Sequence, residues 1–169
     1  MLFRSVRPFD WGLEHVGGRA DEPDPRGWLS RFAEDTVQRS DDWYACTPAD
    51  DYRLESNVLT FTSAVRSPWQ ENNTVYGRFF PAKKSGPAVV VLPNWNAKPD
   101  SFMDICRWLN VLGISALRMS LPYHDRRMVP GHERADQLVG PNIGLTLQDR
   151  KSTRLNSSHI QKSRMPSSA

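Results

Sequence analysis

Most side chains that could do chemistry sit in two short stretches, Leu92-Pro93-Asn94-Trp95-Asn96-Ala97-Lys98-Pro99 and Leu121-Pro122-Tyr123-His124-Asp125-Arg126-Arg127. His124 beside Asp125 supplies an imidazole and a carboxylate, the residue types of a general acid–base pair. Adjacent loop residues usually point apart, so the competing reading makes Asp125 the partner of an arginine in a structural network. A nucleophile is harder to find. The nearest approach to a G-x-S-x-G elbow is Gly113-Ile114-Ser115-Ala116-Leu117, which lacks the second glycine and opens an apolar run instead of following one. Ser115 is therefore not expected to attack a carbonyl. His132 and Glu133 suggest no metal site, because no second histidine stands at i+4 and Asp136 alone leaves the ligation incomplete. Cys46 and Cys106 lack ligand spacing and read as reduced, partly buried thiols. No cofactor or metal is expected.

The two stretches need elements to hold them. Ala88 to Leu92 is a run of five apolar residues between Pro87 and Pro93, the pattern of a strand buried on both faces. Phe102, Ile105, Leu109 and Leu112 recur at helical spacing, which predicts a helix over about 101–112 capped by Asp100 or Ser101 and stopped by Gly113. Ile114 to Leu121 is a further strand, closed by Pro122. Strand, helix and strand in this order make a βαβ unit with parallel strands and a right-handed crossover. Ligands in such sheets bind beyond the carboxyl ends of the strands, where both stretches fall.

Upstream, Val58–Thr62 and Val75–Phe80 are β-rich and separated by a turn around Trp69–Asn73, predicting an antiparallel pair at the sheet edge. The Asn72-Asn73-Thr74 sequon belongs to that turn chemistry. Residues 1–27 read as an irregular arm. Pro25 opens a helix over about 25–39 with Asp24 as its cap, and Asp41 to Asp51 is polar and turn-like. Downstream, Pro141 to Gln148 looks like the opening of another helix. The fold class is therefore α/β, with antiparallel edge strands followed by a βαβ unit. The domain division is an N-terminal arm with one helix over 1–51, a core over 52–148, and a tail over 149–169.

Charge separates the tail from the rest. The chain carries a net charge of +3, yet residues 149–169 hold five basic residues against Asp149 alone, so residues 1–148 carry −1. The basic balance that would suggest a nucleic-acid partner thus resides in the tail. No apolar run reaches the roughly 20 residues of a membrane span, and Arg4, Arg7 and Asp10 interrupt any secretory signal. A cytoplasmic location, with neither membrane nor nucleic acid as partner, is the expectation.

The tail itself, Asp149-Arg150-Lys151-Ser152-Thr153-Arg154-Leu155-Asn156-Ser157-Ser158-His159 and onward to Ala169, resembles one reading frame of a short-read sequencing-library adapter. Residues 160–162 fall in its variable index. The resemblance implies that 149–169 is non-native, that His159 and the Asn156-Ser157-Ser158 sequon carry no function, and that this segment makes few contacts with the body.

From about Phe9 to Gln148 the chain resembles α/β-hydrolases of the abhydrolase-domain-18-like group, related in style to dienelactone hydrolases and bacterial acyl esterases. The resemblance rests on Leu59-Thr60-Phe61-Thr62-Ser63-Ala64-Val65, Glu71-Asn72-Asn73, the two loops quoted first, and Gly140-Pro141-Asn142-Ile143-Gly144. It implies a Ser-His-Asp hydrolase acting on a carboxylic ester or similar small acyl substrate. The serine elbow, acid and histidine of that pattern would all follow Gln148, so the chain as written is expected to be an inactive fragment. The resemblance also puts an oxyanion N–H in the first loop, with the backbone of Trp95 or Asn96 as donor. Against this stands plain packing of Trp95 on the sheet end, with Asn94 and Asn96 stabilising the turn. Asn94, Tyr123 and His124 are the candidates to line an acyl pocket. The alternative function is a non-catalytic binding module sharing the sheet.

Overall fold

The computed structural model describes residues 8–45 and 47–162, with side chains described to Ser157. It is a mixed α/β fold built on one five-stranded sheet. In chain order the elements are α1 (Pro25–Gln38), α2 (Ser40–Trp43), β1 (Arg53–Glu55), β2 (Val58–Thr62), β3 (Thr74–Phe80), β4 (Ala88–Val91), α3 (Met103–Val111), β5 (Ser115–Met119) and α4 (Ile143–Lys162). The strand order across the sheet is β1-β2-β3-β5-β4. The first three strands and β5 pair antiparallel, while β4 and β5 pair parallel, with Val90 opposite Leu117. The expected βαβ unit is present, with α3 as its crossover.

Local chemistry explains most boundaries. Asp24 accepts from the Gly27 amide at 2.9 Å and Pro25 occupies the first helical position, so α1 starts where its cap predicts. Gly113, at φ 78°, ends α3. Its amide bonds Asn110 O and the Ile114 amide bonds Leu109 O, which is the Schellman pattern. Asn142 caps α4 by accepting from the Leu145 amide at 2.8 Å.

Several expectations need correction. Asp100 and Ser101 do not cap α3; Phe102 stands at that position with φ 70° and no side-chain bond. The polar stretch after α1 is not all turn, since Ser40–Trp43 adds a helical turn and Arg53–Glu55 adds a short outer strand. Asp41 and Asp42 suit a first helical turn, a signal too short to read in isolation. β4 is not buried on both faces. It is the last strand of the sheet, with Val89 39 % exposed, because nothing among the described residues pairs its outer side. The predicted apolar stripe of α3 is covered only in part, with Phe102 and Leu109 half-buried and Ile105 and Leu112 exposed. Cys106 is buried, while Ile105, Trp108, Val111 and Leu112 are exposed, Trp108 by 71 % and Val111 by 81 %. Cys46 lies outside the described residues; Cys106 is a free thiol whose pKa burial pushes up.

Two small cores result. Phe61, Val75, Leu117 and Met119 fill one face of the sheet. Gly77 leaves space there, since a Cβ would come within 2.8 Å of a Leu117 methyl. Tyr123, Val129, Ala135 and Leu145, with Trp69, form the other core beyond the strand ends.

The segment from Asp149 was expected to stand apart from the body, and here it does not. α4 runs unbroken to Lys162, and Asp149, Ser152, Leu155 and Asn156 are buried. Asn156 accepts from the Ala64 amide and donates to Ser63 and Ser152. What it buries is chiefly polar, and Gln148 Oε1 and Thr153 Oγ1 are enclosed without a hydrogen-bond partner among the described residues. That is a poor match between helix and body. No helix among the described residues is long and apolar enough to cross a membrane.

Candidate functional site

Because β4 and β5 are parallel, the loops leaving Val91 and Met119 emerge at the same end of the sheet. The sequence places a proline in each loop directly after the apolar run, Pro93 and Pro122, which turns the chain across the strand ends. The two loops meet there.

Their meeting point is His124. The imidazole is 1 % exposed and both ring nitrogens are engaged. Nδ1 lies 2.8 Å from Pro122 O, and Nε2 lies 2.8 Å from the Asn96 amide. A carbonyl can only accept and an amide N–H can only donate, so the ring carries its proton on Nδ1 and accepts at Nε2. The bland environment agrees: burial is the first cause holding its pKa below the ordinary value, with Arg118 and Arg127 acting in the same direction against Pro122 O and Asp125. This is a neutral, fully bonded histidine.

Asn96 is equally committed. It sits at φ 55°, a left-handed geometry that asparagine tolerates. Its side-chain Oδ1 accepts from the Ala135 amide at 2.9 Å, while the Trp95 indole donates to Ala135 O at 3.0 Å. Trp95 and Asn96 therefore grip both polar groups of one peptide residue and strap the segment around Ala135 onto the first loop. Arg134 stacks over the Trp95 ring at 5.3 Å. The Trp95 main-chain N–H has no hydrogen-bond partner among the described residues. Asn94 is exposed and donates to Trp95 O.

Asp125 does not form a catalytic pair with His124. Its carboxylate binds Arg118 of β5 and accepts from Ser120 Oγ at 2.7 Å, which is the structural network in which Asp125 pairs an arginine. Arg127 is buried and donates to Asn72 O and Ser120 O. The side chain of Asn72 accepts from the Tyr123 amide at 3.1 Å, so the turn before β3 holds the second loop through one residue. Tyr123, at φ 59°, is wholly buried, and burial raises its hydroxyl pKa. Asp149 on α4 faces Tyr123 and Arg127; burial, outweighing Arg127, lifts its pKa to about 8.

Two cavities adjoin these loops. One, of about 440 Å³, is lined by Leu92, Trp95, Leu121, Leu138 and Val139 together with residues of α4. The other, about 390 Å³, lies beside the start of α3 over Arg78, Arg118 and Arg126. Trp95 lines the first. Tyr123, His124 and Asn96 line neither: they sit behind the loop surface and shape it. Ser115 is also elsewhere, its hydroxyl accepting from the Ala82 amide at the start of β5. No group of three potential metal ligands occurs among the described residues. What sequence reasoning missed is the Ala135 strap, which nothing in the composition of 128–140 announces.

No family model matches the chain, and no curated protein matches it. Among solved structures it is similar to a cold-adapted esterase from an Arctic intertidal metagenomic library, determined as a PEG-bound complex. The identity is 20 %, the TM-score 0.27, and the likeness covers 47 % of this chain and 34 % of that one. The chain thus spans about a third of that esterase.

Proposed function

We propose that this chain is the first part of an α/β-hydrolase acting on a carboxylic ester or similar acyl substrate, with the oxyanion side of the site but not the nucleophile. One observation carries the reading. β4 is an apolar strand whose outer edge is unpaired among the described residues, and beside it α3 presents Ile105, Trp108, Val111 and Leu112 to solvent. Folded domains ordinarily cover such edges and faces, which supports reading this as the surface of a sheet that continues. A G-x-S-x-G elbow on the next strand would then stand beside the loop after β4.

In that arrangement Trp95 supplies the oxyanion N–H. The Asn96 N–H is spent on His124, whereas that of Trp95 is uncommitted. An N–H placed before reaction stabilises the charge that develops on a carbonyl oxygen under attack. Tyr123 and His124 act as positioning residues, and the wall formed by Leu92, Trp95 and Leu121 is the acyl-side surface, which Arg150, Thr153, Arg154 and Ser157 of the tail cover here. Asp149 to Ala169 has no part in this function.

The discriminating experiment is to sequence the source gene through codon 148 and beyond. A strand followed by G-x-S-x-G, then an acidic residue and a histidine, supports the hydrolase. An open frame with no such elbow favours the non-catalytic binding module, and a gene that itself encodes Asp149–Ala169 overturns the assignment of the tail.

A further inference from the structure

Beyond the acyl-hydrolase reading, and independently of it, the bonds around His124 form a device. We propose that His124 is an acid-released latch: its neutral imidazole holds the 93–99 loop by accepting the Asn96 N–H, and protonation at Nε2 lets that loop go.

Nδ1–H is fixed on Pro122 O, so Nε2 keeps its lone pair for Asn96. A proton taken from solvent at Nε2 makes both nitrogens donors. The Nδ1–H bond survives, but Nε2–H then faces the Asn96 N–H, two donors in the place of a donor and an acceptor. The ring is enclosed and cannot turn to water without displacing Pro122 or the loop. The Trp95 indole and Asn96 Oδ1 stay tied to the buried Ala135, so the part able to yield is the Trp95–Asn96 peptide group that carries the released N–H. The Asn96 N–H and the Trp95 C=O belong to that one group, so its release moves Trp95 with it.

The charges that bear on the ring are few. Asp125 follows in the same turn and favours the proton; Arg118 of β5 and Arg127 oppose it. From α4, Asp149 faces Arg127 and Tyr123 and not the imidazole. From the loop, the group bonded to the ring is the uncharged Asn96 amide. Burial and two arginines hold the latch shut at neutral pH, and acid opens it.

The test is an NMR titration of the ¹⁵N-labelled chain from pH 9 to 4, following the Asn96 amide, the Trp95 indole N–H and the His124 ring. The Ser63 amide, bonded to Asn73 O, serves as a reference for the sheet. The latch predicts that Asn96 and Trp95 shift together with the His124 midpoint, below 6.5, while Ser63 stays in place. His124→Gln keeps an acceptor that takes up no proton, and should lose that shift while any transition of Asp149 near pH 8 persists. His124 titrating with Asn96 unmoved overturns the proposal. So does the same Asn96 transition in H124Q, or collapse of Ser63 at the same midpoint.

Discussion

The Asn96 amide and the His124 imidazole meet at 2.8 Å with the main chain donating and the ring accepting, so one bond ties together the loops that leave two parallel strands. The bond exists only while the ring is neutral. Its pKa is below 6.5 in the fold, so the unfolded chain binds the extra proton first as pH falls. The stability it contributes is complete above about pH 6.5 and is lost as pH drops from there toward the folded value. Asp149 acts with the opposite sign over the same range, so the comparison is made in the Asp149→Asn background, where the urea midpoint should fall between pH 7.5 and pH 5 and addition of H124Q should narrow the gap. A gap in that background that H124Q leaves unchanged would contradict the assignment.

Asp149 has the opposite sign. Its folded pKa is raised to about 8 from 3.8, so the folded chain retains a proton that the unfolded chain has released. This contribution is complete below about pH 3.8 and is lost as pH rises through about 8. Asp149→Asn should flatten the stability profile between those limits, measured by thermal melts at successive pH values. An unchanged slope would show that the carboxylate is not enclosed as described.

Asn72 holds the second loop with its side-chain oxygen on the buried Tyr123 amide and its backbone oxygen on Arg127. Asn72→Ala removes only the first and leaves an enclosed N–H without an acceptor, a loss of about 1–3 kcal/mol. Urea unfolding monitored by tryptophan fluorescence would read it. A change within a few tenths of a kcal/mol would mean that water reaches that amide.

Gly144, in the first turn of α4, lies so close to the Gly12 carbonyl that a Cβ would fall on the oxygen, and its own amide donates to Trp11 O at 2.9 Å. Alanine ordinarily stabilises a helix relative to glycine by about 1 kcal/mol. Here backbone must move instead, so Gly144→Ala should lower the melting temperature. A raised melting temperature would show that the N-terminal arm does not dock on α4.

The elements that dominate the fold were legible because their signals are local. Val58–Thr62 was readable in full, Asp24-Pro25 marked the start of α1, and Gly113 marked the end of α3. Burial was less legible. The apolar run of β4 reads as a central strand, and whether it is one depends on a neighbour that lies elsewhere in the chain. The exposed stripe of α3 has the same cause. In the site, position was readable and commitment was not: the two loops come together as a parallel pair requires, but the proton on His124, the grip on Ala135 and the choice of Arg118 by Asp125 are long-range relations without a sequence pattern.

The central claim, that this chain has the oxyanion side of an acyl-transfer site without its nucleophile, is tested most directly by a serine-directed fluorophosphonate. The folded chain is incubated with the probe and its intact mass and peptide map are recorded. Ser115 Oγ accepts from the Ala82 amide and Ser120 Oγ donates to Asp125, and neither is hydrogen-bonded to a histidine among the described residues. The account predicts no adduct above that of a denatured control. A stoichiometric adduct mapping to Ser115 or Ser120 would contradict it.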